Sequence, residues 1–252
     1  MQHNSKSARI RKTERVGRKL GRKEEHIVEP NLGKIVNMRI SRTIENLGKN
    51  GIKGVYVPTG GHALALLETL LVPGETIGVG GSVTLDQIGA LDLIRSDRYS
   101  FIDRYEKGLS GDDLMKRRRE CVMADTFVSG TNAITEEGVL YNIDGTGNRL
   151  CAFLFGPKRV IVIAGYNKIV PTLEDAMLRI KNVCAPANAI RLGMDTYCAK
   201  HGHCISRDLG GRSMMFPPAG SCTSRLCQNA VVTARQPEGR MMVMIVGEEL
   251  GY

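Results

Sequence analysis

The sequence predicts an α/β domain built on a largely parallel central sheet flanked by helices. Three observations point there. Short apolar runs alternate with longer stretches of helical periodicity through most of the 252 residues, the pattern of successive strand–helix crossovers. Hydrophobic residues make up 42 % of the chain, enough for a sizeable core. The length suits one large domain with an appendage, here a basic extension over 1–31 and a folded domain over 32–252.

The elements follow in order. From Leu32 to Leu47 the apolar residues Ile40, Ile44 and Leu47 recur at helical spacing. "NGIKGVYVP" reads as a turn and a short buried strand through Val57. "GHALALLETLL" reads as a helix stopped by Pro73-Gly74, and "ETIGVGG" as a strand running into glycines. "SVTLDQIGALDLIRS" predicts one helix capped by Ser82 or Thr84, with Asp86 in its first turn. "YSFID" is a strand, "GDDLMKRRRECVMA" a helix with acids early and bases late, and "DTFVSG" a strand. Around "YNIDGTGNR" (Tyr141 to Arg149) the apolar flanks predict a hairpin, with "LCAFLF" as its second strand. "KRVIVIAG" is a further strand, "TLEDAMLRIKNV" a helix capped by Thr172, and "NAVVTAR" and "MMVMIVG" a closing pair of strands.

Charge and cysteine usage narrow the function classes. The net charge is +9, but residues 1–25 hold nine Lys/Arg against three acids, so +6 belongs to the extension and +3 to the rest. The extension reads as a solvated arm, and it carries no interleaved aromatic residue to stack on bases, which argues against nucleic acid. No apolar run reaches the ~18 residues that a membrane span needs, and no signal core follows the basic start. A cytoplasmic protein with no membrane span is the expectation. Seven cysteines without a secretion signal argue against a disulfide framework. Four of them, Cys198, Cys204, Cys222 and Cys227, cluster in a cysteine-rich segment over 197–228. The spacing is Cys198-x5-Cys204 and Cys222-x4-Cys227, with His201 and His203 between the first two. Four thiolates suit tetrahedral zinc or an iron–sulfur cluster, and either histidine could replace one thiolate. Four unligated thiols remain the plainer alternative.

Three polar stretches sit where open α/β sheets bind ligands, beyond strand carboxyl ends. Gly80-Gly81-Ser82-Val83-Thr84 combines close backbone approach with two hydroxyls and the start of a helix, a recipe for phosphate or carboxylate. No Gly-Lys-Ser/Thr closes it, so it is not a Walker loop. Thr131 and Asn132 follow a short apolar strand, and Asn132 could donate to a ligand; Glu136-Glu137-Gly138 beyond them reads as a surface turn. In the third stretch, Asp144-Gly145 and Gly147-Asn148 are turn chemistry. A turn facing a ligand would use Asp144 as acceptor or base and Thr146 and Asn148 as donors. Arg149 could face an anion or be a solvated charge. On the residues alone, turn and pocket are both open.

"VGGSVTLDQIGALD", "ADTFVSGTNAITEEGVLYNIDGTGNRLCAFLFGPKRVIVIAGYNKIV", "RIKNVCAPANAIRLG" and "VIVGEELGY" together resemble stand-alone members of the LUD-domain family, the LutC/YkgG-type lactate-utilisation group. The resemblance runs from about Leu32 to Tyr252. It implies a fold like that of the sugar-phosphate isomerases and CoA transferases (NagB/RpiA-like). There the three stretches meet in one anion-binding cleft, and the resemblance adds Gly147, Asn167 and Lys168 to Gly80, Gly81, Ser82, Thr84, Thr131, Gly145, Thr146 and Asn148 as ligand-binding residues. Asn132 stands where isomerase-type relatives carry an acid, and Asp144 and Glu248 are the candidate bases. The resemblance also implies a four-cysteine segment, here stretched by "ISRDLGGRSMMFPPAGS" between Cys204 and Cys222.

The expected function is lactate or related organic-acid metabolism through a small anionic ligand, whether phosphorylated, carboxylate or CoA-like. The alternative is a non-catalytic, zinc- or iron–sulfur-containing accessory subunit that docks on iron–sulfur oxidoreductase subunits. Homo-oligomer formation is an expectation under either reading.

Overall fold

The computed structural model describes residues 29–210, 216–222 and 226–252. Most of the extension expected over 1–31 lies outside the described residues. Helix α1 (Pro30–Lys49) starts from Glu29, whose carboxylate accepts from the amides of Asn31 and Leu32, and buries Ile40, Thr43 and Leu47. Strand β1 (Lys53–Val57), helix α2 (Gly60–Leu70), strand β2 (Thr76–Val79), strand β3 (Ser100–Phe101), helix α5 (Gly111–Val122) and strand β4 (Thr126–Ser129) follow the predicted alternation.

Strands β1, β10 (Met241–Val246), β7 (Arg159–Gly165), β4, β2 and β3 form a six-stranded sheet in that order. Every pairing in it is parallel. β7 and β10 are apolar on both faces, as a strand covered on both sides requires. One face packs Leu67, Ile77, Leu85, Ile94, Ile161 and Ile163. The other packs Leu47, Phe127, Phe153, Val160, Val162 and Val243. Each such side chain contributes about 1.5–3 kcal/mol on burial. β10, close to the end of the chain, lies between β1 and β7, with Val243 opposite Gly54 on one side and Val162 on the other.

A smaller sheet runs β8 (Ile169–Val170), β5 (Ala133–Thr135), β6 (Leu140–Asp144) and β9 (Asn229–Thr233). β5 and β6 make a hairpin around Glu136-Glu137-Gly138. Glu136 is held there by Arg39 and Arg42 of α1.

Three expectations need correction, and one expected helix takes an additional feature. "LCAFLF" is not a strand: helix α6 (Asn148–Leu154) turns Arg149, Leu150, Ala152 and Phe153 inward at helical spacing. Gly147, at φ 83°, redirects the chain from β6 into α6, so the stretch is a strand-to-helix loop and no hairpin. A short apolar run does not by itself separate a strand from a buried helix. The helix expected over Ser82–Ser96 breaks at Gly89 (φ 74°) into α3 (Val83–Gln87) and α4 (Ala90–Ile94). The closing strands do not pair with each other, since β9 joins β6 and β10 joins the large sheet. Finally, α7 (Leu173–Arg179), which carries the predicted Thr172 cap as a full capping box, passes through a π-helical turn at Ile180–Cys184 into α8 (Ala185–Arg191). π-turns recur at functional sites, and this one faces the cleft described next.

Candidate functional site

Four neighbouring parallel strands deliver their carboxyl ends to one side of the large sheet: β2 into Gly80–Ser82, β4 into Gly130–Asn132, β7 into Tyr166–Lys168 and β10 into the C-terminal tail. A cleft of about 270 Å³ opens there, lined by residues from every one of these ends and by the β6–α6 loop. Ser82, Asn132 and Asp144, distant in sequence, thus share one cavity.

Of the residues expected to bind ligand, Gly81, Ser82, Thr131, Gly145, Thr146, Asn148 and Lys168 line the cleft, and so do Asn132 and Asp144. The others stand behind or beside it. Gly80 is a spacer, because a Cβ there would sit 2.4 Å from Ser129 Oγ and 3.4 Å from Arg149 Cδ. Thr84 is fully buried and accepts from Lys168 Nζ at 2.9 Å. Gly147 precedes α6 as its left-handed cap. Asn167 Oδ1 accepts from Leu250 N at 3.2 Å, tying the tail to the end of β7. Glu248 lies outside the cleft lining; its Oε2 accepts from the Gly60 amide at 2.8 Å, at the start of α2.

A polar network fixes the cleft wall. Asn142, fully buried on β6, accepts through Oδ1 from Thr131 Oγ1 and from Asn132 N, both at 3.0 Å. Asn132 Oδ1 accepts from Ile143 N at 3.0 Å and from Arg149 Nη2 at 2.9 Å. Arg149 also donates to Asp144 Oδ1 through Nε at 3.0 Å and Nη2 at 2.5 Å. Asp144 therefore enters the cleft already ion-paired. This resolves the open alternative for Arg149, which is neither solvated nor free but a buried brace.

The cations that face the cavity without a carboxylate come from elsewhere. Arg104, Arg118 and Arg191 all line it. Arg118 donates to Thr146 Oγ1 at 3.3 Å, and burial together with neighbouring Arg104 pushes its guanidinium below the usual range. Arg191 donates to Asn188 Oδ1 and to Tyr252 Oη, both neutral acceptors. None of the three makes an ion pair among the described residues. Arg104 Nε, Arg118 Nε and Asn148 Nδ2 are moreover buried without a hydrogen-bond partner. The sequence signal for Arg118 is the "KRRRE" run on α5, which reads as the basic end of a helix with acids early. Nothing in the sequence marked Arg104, while Asn188 and Arg191 lie within the "RIKNVCAPANAIRLG" stretch without being singled out.

Lys168 is 3 % exposed. Burial, with Arg179 and Arg149 nearby, pushes its amine down to about 7. Cys184, on the π-turn, also lines the cleft. Burial raises its thiol, and Arg179 Nη1 donates to its sulfur at 2.7 Å.

The cysteine segment meets the cleft through Cys227, a lining residue. Burial pushes the Cys227 thiol up to about 12, with Cys198, Cys204 and Cys222 adding to the rise. The four sulfurs are thus electrostatic neighbours. Among the described residues, however, no three His, Cys, Asp or Glu side chains are grouped closely enough to hold a metal ion. His203 is turned to Asp208 (Nε2 to Oδ2 2.9 Å) and to the His201 carbonyl, while His201 stacks on Tyr197. No helix among the described residues is long and apolar enough to cross a membrane.

A family model described as the LUD domain matches residues 40–246. Among solved structures, a crystal structure of a DUF162 family protein from Deinococcus radiodurans aligns with a TM-score of 0.44 at 15 % identity, covering 85 % of this chain and 98 % of that one. No curated protein matches the chain.

Proposed function

We propose that this chain, which belongs to the LUD-domain family, binds a small anion in the strand-end cleft and serves lactate or related organic-acid metabolism in the cytoplasm. The ligand is a phosphorylated, carboxylate or CoA-like compound. Its seat is analogous to that of sugar-phosphate isomerases and CoA transferases. One observation carries this reading: Arg104 Nε, Arg118 Nε and Asn148 Nδ2 are buried donors without acceptors, and all three residues line the same cavity. An unsatisfied buried donor costs about 1–3 kcal/mol, and more when charged. An anionic ligand in that cavity would bring acceptor oxygens to the residues that carry these donors. Three unpaired guanidinium groups in a confined site also favour negative charge over neutral ligands.

In this reading Thr131, Asn132, Asn142, Arg149 and Asp144 shape the wall. Asp144 acts as a base only if a ligand draws Arg149 away from it. Glu248 braces the start of α2. The test is thermal stability in the presence of phosphate, lactate, a sugar phosphate and a CoA ester. A ligand at a hundred times its Kd stabilises by about 2.7 kcal/mol. At least one anion should raise the melting temperature of the wild type and raise that of Arg118→Ala clearly less. No response to any of them, or an equal response in the variant, would remove the proposal.

A second reading concerns the cysteine segment. Cys227 is both a cleft residue and the thiol on which Cys198, Cys204 and Cys222 act. A four-thiol donor set fits zinc or an iron–sulfur cluster in chemistry, although the thiols as placed do not close around an ion. Bound there, zinc would brace the wall, whereas a cluster would carry electrons to an iron–sulfur oxidoreductase subunit. Metal analysis of anaerobically purified protein decides: zinc or iron that is lost in Cys227→Ser supports the site, and neither metal in the wild type rejects it.

A further inference from the structure

Lys168 differs from every other cation of the cleft. The turn after β7 brings it to the cavity, yet its side chain is almost wholly buried. Its Nζ donates to a hydroxyl, Thr84 Oγ1, at 2.9 Å. The charged or titratable groups that face it are the Cys184 thiol from the π-turn, Arg179 from α7 and Arg149 from α6. No carboxylate is among them. A lysine buried for structural reasons normally pairs with an acid. This one is instead desolvated and crowded by two guanidinium groups, the environment that keeps an amine neutral and nucleophilic. The tail closes against it, since a Cβ on Gly251 would lie 3.2 Å from Nζ.

We propose that Lys168 is a covalent nucleophile that forms an imine with a carbonyl-bearing anion. This rests on the anion-cleft reading: Arg104 and Arg118 hold the anionic group while the aldehyde or keto carbon reaches Nζ. The Nζ lone pair attacks the carbonyl carbon and a proton moves from nitrogen to oxygen, giving a carbinolamine. The C–O bond then breaks, the hydroxyl leaves with the second N–H proton as water, and C=N forms. No oxidant or reductant is consumed. The ligand class is therefore a 2-oxo acid or a phosphorylated aldehyde or ketone. The depressed proton affinity of the amine, about 7, agrees with this role.

The test is reductive trapping of the full-length protein with cyanoborohydride in the presence of pyruvate or glyceraldehyde 3-phosphate, followed by peptide mass mapping. Near neutral pH, Lys168 should be modified at least about tenfold more than any other lysine, because ordinary lysines titrate near ~10.4. Its trapping rate should rise through neutrality rather than near pH 10. Lys168→Arg should lose the adduct at this position while the remaining lysines react as in the wild type. Lys168→Met, checked by its melting curve, guards against misfolding of the arginine variant. Adducts spread over surface lysines, or no adduct with either probe, overturn the assignment. Phosphate stabilisation of the wild type in that case would show that the anion cleft itself stands.

Discussion

Arg149 Nη2 lies 2.5 Å from Asp144 Oδ1, with the two side chains only 10 % and 14 % exposed. The pair spans the loop that leaves β6 and enters α6, and a third partner, Asn132, joins it from the end of β4. A loop rich in glycine is thereby held rigid at the cleft wall.

Removing one partner of such a pair leaves a buried charge uncompensated. Arg149→Met should destabilise the fold by about 3–5 kcal/mol, and removing both charges should cost much less than the sum of the single changes. Urea denaturation of Arg149→Met, Asp144→Asn and the double variant measures this coupling. Additive effects would mean that the pair does not brace the loop.

Arg118→Ala should behave in the opposite way. It removes a desolvated guanidinium repelled by Arg104, so stability should hold or rise slightly. Affinity for the bound anion should fall by roughly tenfold or more, as expected for loss of a charge-assisted hydrogen bond worth about 1.5–3 kcal/mol. Isothermal titration at low and moderate salt checks both the loss and the reduced salt dependence.

Lys168 sets a pH-dependent penalty. Its folded-state value is lowered to about 7, while in the unfolded chain it titrates near ~10.4. Between those values the unfolded state binds more protons, so the Lys168 contribution to stability rises with pH across that window. Below about pH 7 both states are protonated and the penalty is full and constant, with a ceiling on the order of 5 kcal/mol. Lys168→Met should be more stable than the wild type at pH 6, and the difference should shrink towards pH 10. Chemical denaturation across that range is the measurement.

Gly80→Ala should disturb the site through packing alone. Its Cβ would press on Ser129 and on the Arg149 side chain, and overpacking of this kind costs about 1–3 kcal/mol. A lowered melting temperature with weakened anion binding is expected. An unaffected Kd would show that Arg149 yields without moving the wall.

The sequence by itself determined the α/β class, most of the strands, the caps at Ser82 and Thr172, and the three polar stretches that meet at the cleft. These are local properties: apolar period, cap chemistry and glycine placement act over a few residues, and the same few residues display them. The tertiary structure decided the rest. "LCAFLF" became a helix because the surrounding core accepted Leu150 and Phe153 on one face, which a short apolar run does not reveal. Arg104, Arg118 and Arg191 became cleft residues because a loop and the helices α5 and α8 close over the strand ends. Lys168 owes its lowered proton affinity to burial beside two guanidinium groups from other elements. Charge in a folded protein depends on what lies within a few ångströms in space, and chain order does not record that distance.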